Sequence, residues 1–413
     1  MNTTAPQTRV FQWSRLAAIA ALSACCFFFF RMHGVPMLRT VSVSAGVGLF
    51  FVFLWLAESR SQPPQARSGK KRDGFDWGMH YMRGFAIVCI MLSHFCVRTG
   101  WPRFSAGFLR SSTVFFLFIS GYLCQYLAFR RPVDTGQYYL SKVKNVISPY
   151  VVCSLATLAA VCLLHAKRAG VIAPSEISLR SLPNILLLGW AQRPYWYIPF
   201  VVILFLVSPW LTRIGNRTLL WLLVVSFFAA VCFPGRPLGN LTWNPVVSLY
   251  RYVYFTWAYL LGFAYARWKA RIDPHLGAYA IPALLLGILL GFRTMFPAGQ
   301  YSDFILSGSF AWSVQKLFFL VPVLWIANRV RSVRIPLFDW LATYSFTLFF
   351  LHHFFIQDYI GLMARVSGTL GAGTLVQTAV HIALTVVFLA QNLLLAVMLK
   401  QVCGHWSRQF IGA

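Results

Sequence analysis

Again and again along this chain, an uncharged apolar run appears that is long enough to cross a layer of hydrocarbon, and no other feature restricts its fold so strongly. A spanning helix needs about 20 mostly apolar residues, because the hydrocarbon core is about 30 Å thick and a helix rises about 1.5 Å per residue. Twelve segments qualify, near residues 14–30, 41–57, 81–97, 108–129, 146–165, 196–212, 218–233, 250–266, 277–292, 309–328, 339–361 and 374–399. The expected fold class is all-α, a polytopic transmembrane helix bundle. One stretch interrupts the rhythm: Glu58 to His80 is rich in Ser, Pro, Gly and basic residues and reads as a linker. The expected division is a two-helix membrane segment over 1–57, a basic cytoplasmic linker over 58–80, a ten-helix membrane domain over 81–400 and a cytoplasmic tail over 401–413.

Composition excludes several kinds of chemistry. Hydrophobic residues make up 58% of the chain and charged ones 11%, whereas a soluble domain carries about a quarter charged residues. Only nine acidic residues stand against 36 Lys plus Arg. They are scattered singly, so neither a glycosidase carboxylate pair nor a Mg or Ca cage is expected. The nine cysteines lie mostly within apolar runs and lack C-x-x-C spacing, which supports neither a zinc site nor a disulfide framework. No resident metal or permanent cofactor is expected, and no nucleic-acid partner.

The larger share of the Lys and Arg falls in the segments that are cytoplasmic when the N-terminus is inside. The positive-inside rule therefore places both termini in the cytoplasm. Leu22-Ser23-Ala24-Cys25 looks like a lipoprotein cleavage site, but Cys26 and Phe27 to Phe30 continue the apolar run as a spanning helix would.

Two polar residues interrupt the third run. Between Arg83 and His94 lie eleven helical steps of about 100° each, within about 20° of three full turns, so the two share one face about 16 Å apart. An ionisable group in hydrocarbon costs several kcal/mol unless it meets a cavity or a partner, which makes both functional candidates. Arg83 alone can snorkel to the membrane surface as an anchor. His94 is too short to do so; its bland role is a hydrogen bond between helices.

The spacing is a basic residue, ten intervening residues and a histidine on the first core helix, and it resembles the signature of the acyltransferase-3 family of integral membrane O-acyltransferases. Four more segments resemble that family in order. Phe115-Phe116-Leu117-Phe118-Ile119-Ser120-Gly121-Tyr122 is similar to its FFxxSG(F/Y) segment. Tyr139 to Tyr150 is similar to its basic stretch ending in Pro-Tyr. Tyr195-Trp196-Tyr197-Ile198 resembles a later Trp-aromatic helix start, and Tyr344 to His352 resembles its late Y-S-x-x-L-(Y/F)-x-x-H segment. The likeness covers about residues 76 to 400. It departs at Thr113, where many members carry an Asp, and in the two N-terminal helices, which lie outside the ten-helix core. No soluble hydrolase-like domain is expected after the last helix, which leaves the membrane core to present the acceptor.

The resemblance implies transfer of an acyl group, commonly acetyl, from cytoplasmic acyl-CoA as co-substrate to a hydroxyl of an extracytoplasmic or lipid-linked carbohydrate, in a bacterial cytoplasmic (inner) membrane. His94 would act as the base, since imidazole has a suitable pKa range. Arg83 would meet the anionic donor. The other candidate substrate- and cofactor-binding residues are Ser120, Tyr122, Lys142, Lys144, Trp196 and His352. Ser120-Gly121 also suits close helix packing. Lys142 and Lys144, near Arg130 and Arg131, suit donor phosphates and positive-inside anchoring equally. His352 lies 13 residues, or about 20 Å, beyond Asp339, and His94 is similarly far from His80, so the two histidines are expected at one depth. Direct attack on the thioester and an acyl-enzyme relay both remain open, as does a homo-oligomer. The competing readings are a transporter or flippase with Arg83, His94 and Lys316 lining a pathway, and a noncatalytic scaffold. Lys167, Arg168, Arg180 and Arg193 in one outer loop hint at an acidic partner.

Overall fold

The computed structural model describes residues 16–24, 52, 76–99, 101–130, 134–164, 171–232, 245–295, 308–370 and 375–413. Of the two expected N-terminal helices, residues 16–24 are helical, while Cys25, nearly all of 41–57 and the linker up to residue 75 lie outside the described residues.

The core begins with α1 (Trp77–Arg98) and α2 (Thr113–Arg130). Asp76 caps α1 by accepting the Met79 backbone N–H at 3.1 Å, a contact worth about 1 kcal/mol. Next come α3 (Thr135–Lys142), α4 (Ser148–Leu164), α5 (Leu182–Leu188), α6 (Tyr197–Leu211) and α7 (Asn216–Cys232). The chain continues through α8 (Pro245–Ile272), α9 (Leu276–Met295), α10 (Gly308–Arg329) and α11 (Pro336–Thr343). It ends with α12 (Ser345–Leu370), α13 (Leu375–Cys403) and the short α14 (Ser407–Phe410). Among the described residues, seven helical segments are long and apolar enough to cross a membrane, and α7 is a shorter apolar helix. The outer faces match that solvent: Trp221, Val225 and Phe228 on α7, Leu285 and Leu289 on α9, and Val386 on α13 are all exposed.

At the centre, α1 packs against α2, α10, α11 and α12, and α2 lies along α8. The α2–α8 crossing is reciprocal and tight. A Cβ on Gly121 would collide with the Tyr259 carbonyl, and one on Gly262 with the Phe118 carbonyl. Ser120-Gly121 thus includes the small-residue contact that lets two backbones touch.

Three stretches depart from the expected helices. The run from 108 does not begin as one helix: Ser105–Leu109 is π-helical, Ser111 has φ 65°, and α2 starts at Thr113. A π-turn leaves carbonyls without their usual partners. Here α10 supplies donors to three in succession: Trp312 Nε1 to Ala106 O at 2.9 Å, Gln315 Nε2 to Gly107 O at 2.7 Å and Lys316 Nζ to Phe108 O at 2.6 Å. Lys316 is fully buried and also bonded to Gln315 Oε1 at 2.9 Å. Its amine braces the π-turn from inside the core.

A second π-helical stretch, Val143–Ile147, joins α3 to α4, so helical structure begins well before the expected residue 146. The expected helix 339–361 is broken at Tyr344 into α11 and α12. Beneath the break, residues 404–413 fold back into the bundle: Thr347 Oγ1 donates to the Ile411 carbonyl and Ser148 Oγ to the Gln409 carbonyl, both at 2.9 Å.

Candidate active site

Helix α1 sets two levels on one face. At the lower level, toward Trp77, Arg83 points at the α11–α12 break, where its Nη2 donates to Ser345 Oγ at 3.4 Å. Next to it, Gly84 lies against the backbone of Ala342, which brings α1 close enough for the reach. Tyr197 and Arg408 are electrostatic neighbours of Arg83. Among the described residues no carboxylate pairs with this guanidinium.

At the upper level, three imidazoles gather. The His94 ring lies 5.4 Å from His352 and 5.5 Å from His353, centroid to centroid, and the two α12 histidines are 6.2 Å apart. His94 is half-buried, whereas His352 and His353 are buried. His352 Nδ1 lies 3.0 Å from the Leu348 carbonyl. A carbonyl can only accept, so Nδ1 carries the proton and Nε2 holds a lone pair. That Nε2 is buried without a partner, as is His353 Nδ1. Among the described residues no group of three His, Cys, Asp or Glu side chains is arranged to hold a metal ion. The cluster therefore offers at least one imidazole lone pair, His352 Nε2, able to accept a proton.

The remaining candidates distribute over both levels. Ser120 Oγ and the Tyr197 hydroxyl are 3.4 Å apart, and Tyr197 is also an electrostatic neighbour of Arg83. Trp196 stacks on Phe255 at 5.3 Å and carries the Arg251 guanidinium 4.7 Å above its ring. Lys142 sits over the rings of Phe205 at 4.2 Å and Tyr138 at 4.9 Å, with Arg408 as an electrostatic neighbour. Lys144 is exposed on the π-helical stretch. Tyr122 is fully buried and donates to Asp76 Oδ2 at 3.5 Å, which places it at the start of α1 and away from the histidines. A pocket of about 230 Å³ lined by Gln125, Thr135, Thr212 and Arg213 opens where α2 and α6 end, also away from them.

The structure adds His353 beside His94, and Arg98 and Arg251 farther along, to the residues the sequence singles out. His353 was visible only as half of a His-His pair. Arg98 follows His94 by four residues, the i to i+4 spacing of one helix face, and that signal was available.

Residues 76–394 match the acyltransferase-3 family, described as an acyltransferase domain. No curated protein and no solved structure matches the chain. With most of its length matched and a polytopic helical bundle built around the Arg83 and His94 face, this chain belongs to the acyltransferase-3 family of membrane acyltransferases.

Proposed function

We propose that the protein moves an acyl group, acetyl in the simplest case, from acyl-CoA to a hydroxyl of an extracytoplasmic or lipid-linked carbohydrate. The observation that carries this reading is the pairing of His94 with His352 above an Arg83 that no carboxylate among the described residues neutralises. In this reading the Trp77 end of α1 is cytoplasmic, both termini lie in the cytoplasm of a bacterial inner membrane, and residues 81–400 form the catalytic domain.

Arg83, Lys142 and Arg408 form a group of cations at the cytoplasmic level; Arg408 neighbours both of the others. Guanidinium and ammonium groups there suit the phosphates of coenzyme A. The thioester arm then runs along the α1 face toward His94, about 16 Å higher. His94 removes the proton of the acceptor hydroxyl, and the oxygen attacks the thioester carbonyl. The tetrahedral intermediate collapses with cleavage of the C–S bond, and the His94 imidazolium returns its proton to the departing thiolate. His352, held as the Nδ1–H tautomer by Leu348 with its ring 5.4 Å from that of His94, has an unpartnered Nε2 lone pair that steadies the imidazolium. In this reading it orients His94, in a chain that carries Thr113 where many members of the family carry an Asp.

The test is release of free coenzyme A from acetyl-CoA by the full chain in lipid nanodiscs with acceptor present. His94→Ala is expected to insert normally and lose at least about 100-fold in kcat; undiminished release would overturn the assignment. A transporter would instead move solute without consuming acetyl-CoA. Lys316, one of the three residues that reading invokes, is fully buried against the π-turn and lends it no support.

A further inference from the structure

Beyond His94, at the Arg98 end of α1, the structure collects a second group of cations. Arg98 stands one helical turn past His94 on the same face, about 6 Å farther along the axis. Arg193 opens the turn Arg193–Trp196 that leads into α6. That turn is fixed to the histidine helix, because the Tyr195 hydroxyl donates to the Phe350 carbonyl of α12 at 3.1 Å, two residues before His352. Arg251 of α8 closes the third side, its guanidinium 4.7 Å above the Trp196 ring. Arg98 and Arg193 are electrostatic neighbours of both His94 and His353, and Arg193 is a neighbour of Arg251. No carboxylate pairs with any of the three among the described residues. Gln192, adjacent to Arg193, is fully buried with both amide atoms unpartnered.

Three guanidiniums that meet no acid among the described residues repel one another; water screens part of this at the exposed Arg193, and less of it at the half-buried Arg98 and Arg251. An arrangement of this kind is stabilised by an anion, and planar guanidiniums match carboxylate and phosphate oxygens in pairs. We propose that Arg98, Arg193 and Arg251 form an acceptor subsite for a negatively charged group, so that the acceptor is an anionic glycan whose charge docks beside the hydroxyl presented to His94. The shared chemistry is an oxyanion, supplied either by a uronate carboxylate within the sugar or by the diphosphate of a polyprenyl carrier. This inference rests on the acyl-transfer reading for its meaning, but its charge selectivity is measurable without turnover.

The experiment is equilibrium binding to the full chain in zwitterionic nanodiscs. Four probes separate the sources: a uronate-containing tetrasaccharide, its carboxyl-reduced neutral counterpart, a polyprenyl-diphosphate disaccharide and the free disaccharide. One anionic probe is expected to bind at least about tenfold more tightly than its neutral match, as one charge-assisted contact contributes roughly that factor. Arg193→Gln should erase most of this preference, and Arg193→Lys should keep part of it. Arg213→Gln, near the opposite end of the bundle, should leave it intact. The unfolding midpoint of each variant reports any loss of fold, and Arg251→Gln provides an independent second site. Equal binding of charged and neutral probes, binding of none of the four, or a preference unchanged in both Gln variants would overturn the proposal. Failure of the acyl-transfer reading has a different signature: the charge preference is present while wild-type protein consumes no acetyl-CoA.

Discussion

His352 shows how one backbone contact can set the chemistry of a site. The Leu348 carbonyl fixes the proton on Nδ1, so the buried Nε2 is committed to accepting. If that lone pair steadies the His94 imidazolium, His352→Ala lowers kcat by about 10- to 100-fold while KM for acyl-CoA stays within about twofold. His352→Gln, which retains an acceptor oxygen, should recover part of the loss and alter the pH profile. A purely structural histidine would lower expression or unfolding temperature and leave the surviving fraction fully active. Arg83 and His94 were legible in the sequence because a rigid helix converts their spacing directly into a shared face. The gathering of His353, Arg98, Arg193 and Arg251 was not, since it depends on how α1, α12 and the Arg193–Trp196 turn meet.

At the scale of the helix, the joint between α1 and the α11–α12 break holds Arg83 in place. It is locked from below by Asp339, which meets His80 Nε2 at 3.1 Å and Arg334 Nη2 at 2.9 Å. The eight-residue α11 is too short to span a bilayer. Burial alone would raise the Asp339 carboxyl, but the hydrogen bonds from Arg334 and His80 outweigh it and hold the group below the usual carboxylate value. A depressed carboxylate contributes stability that is complete above the unfolded value of about 3.9 and is lost as pH falls through the folded value. Asp339→Asn should therefore unfold at least about 2 °C lower at pH 7, and the gap to wild type should close as the pH drops below about 4. A gap that persists there would show that the ion pairs are not its source. Helix extents were largely readable from apolar run length: 374–399 became Leu375–Cys403 and 309–328 became Gly308–Arg329. The π-turn at Ser105–Leu109 was not, because its stability comes from Trp312, Gln315 and Lys316 some two hundred residues away.

Across the whole molecule, charge is arranged along one axis. Arg83, Lys142 and Arg408 gather toward one end of the face, three histidines occupy its middle, and Arg98, Arg193 and Arg251 stand at the other end. Anionic donor and anionic acceptor would then approach the histidines from opposite sides of a bundle whose outer faces are lipid-compatible. The most direct test of that account uses proteoliposomes with labelled acetyl-CoA on one side and a glycan acceptor confined to the other. Wild-type protein is predicted to place label on the acceptor across the bilayer, and His94→Ala to place none. Labelling only when both substrates share a compartment, or equal labelling by the variant, would contradict it.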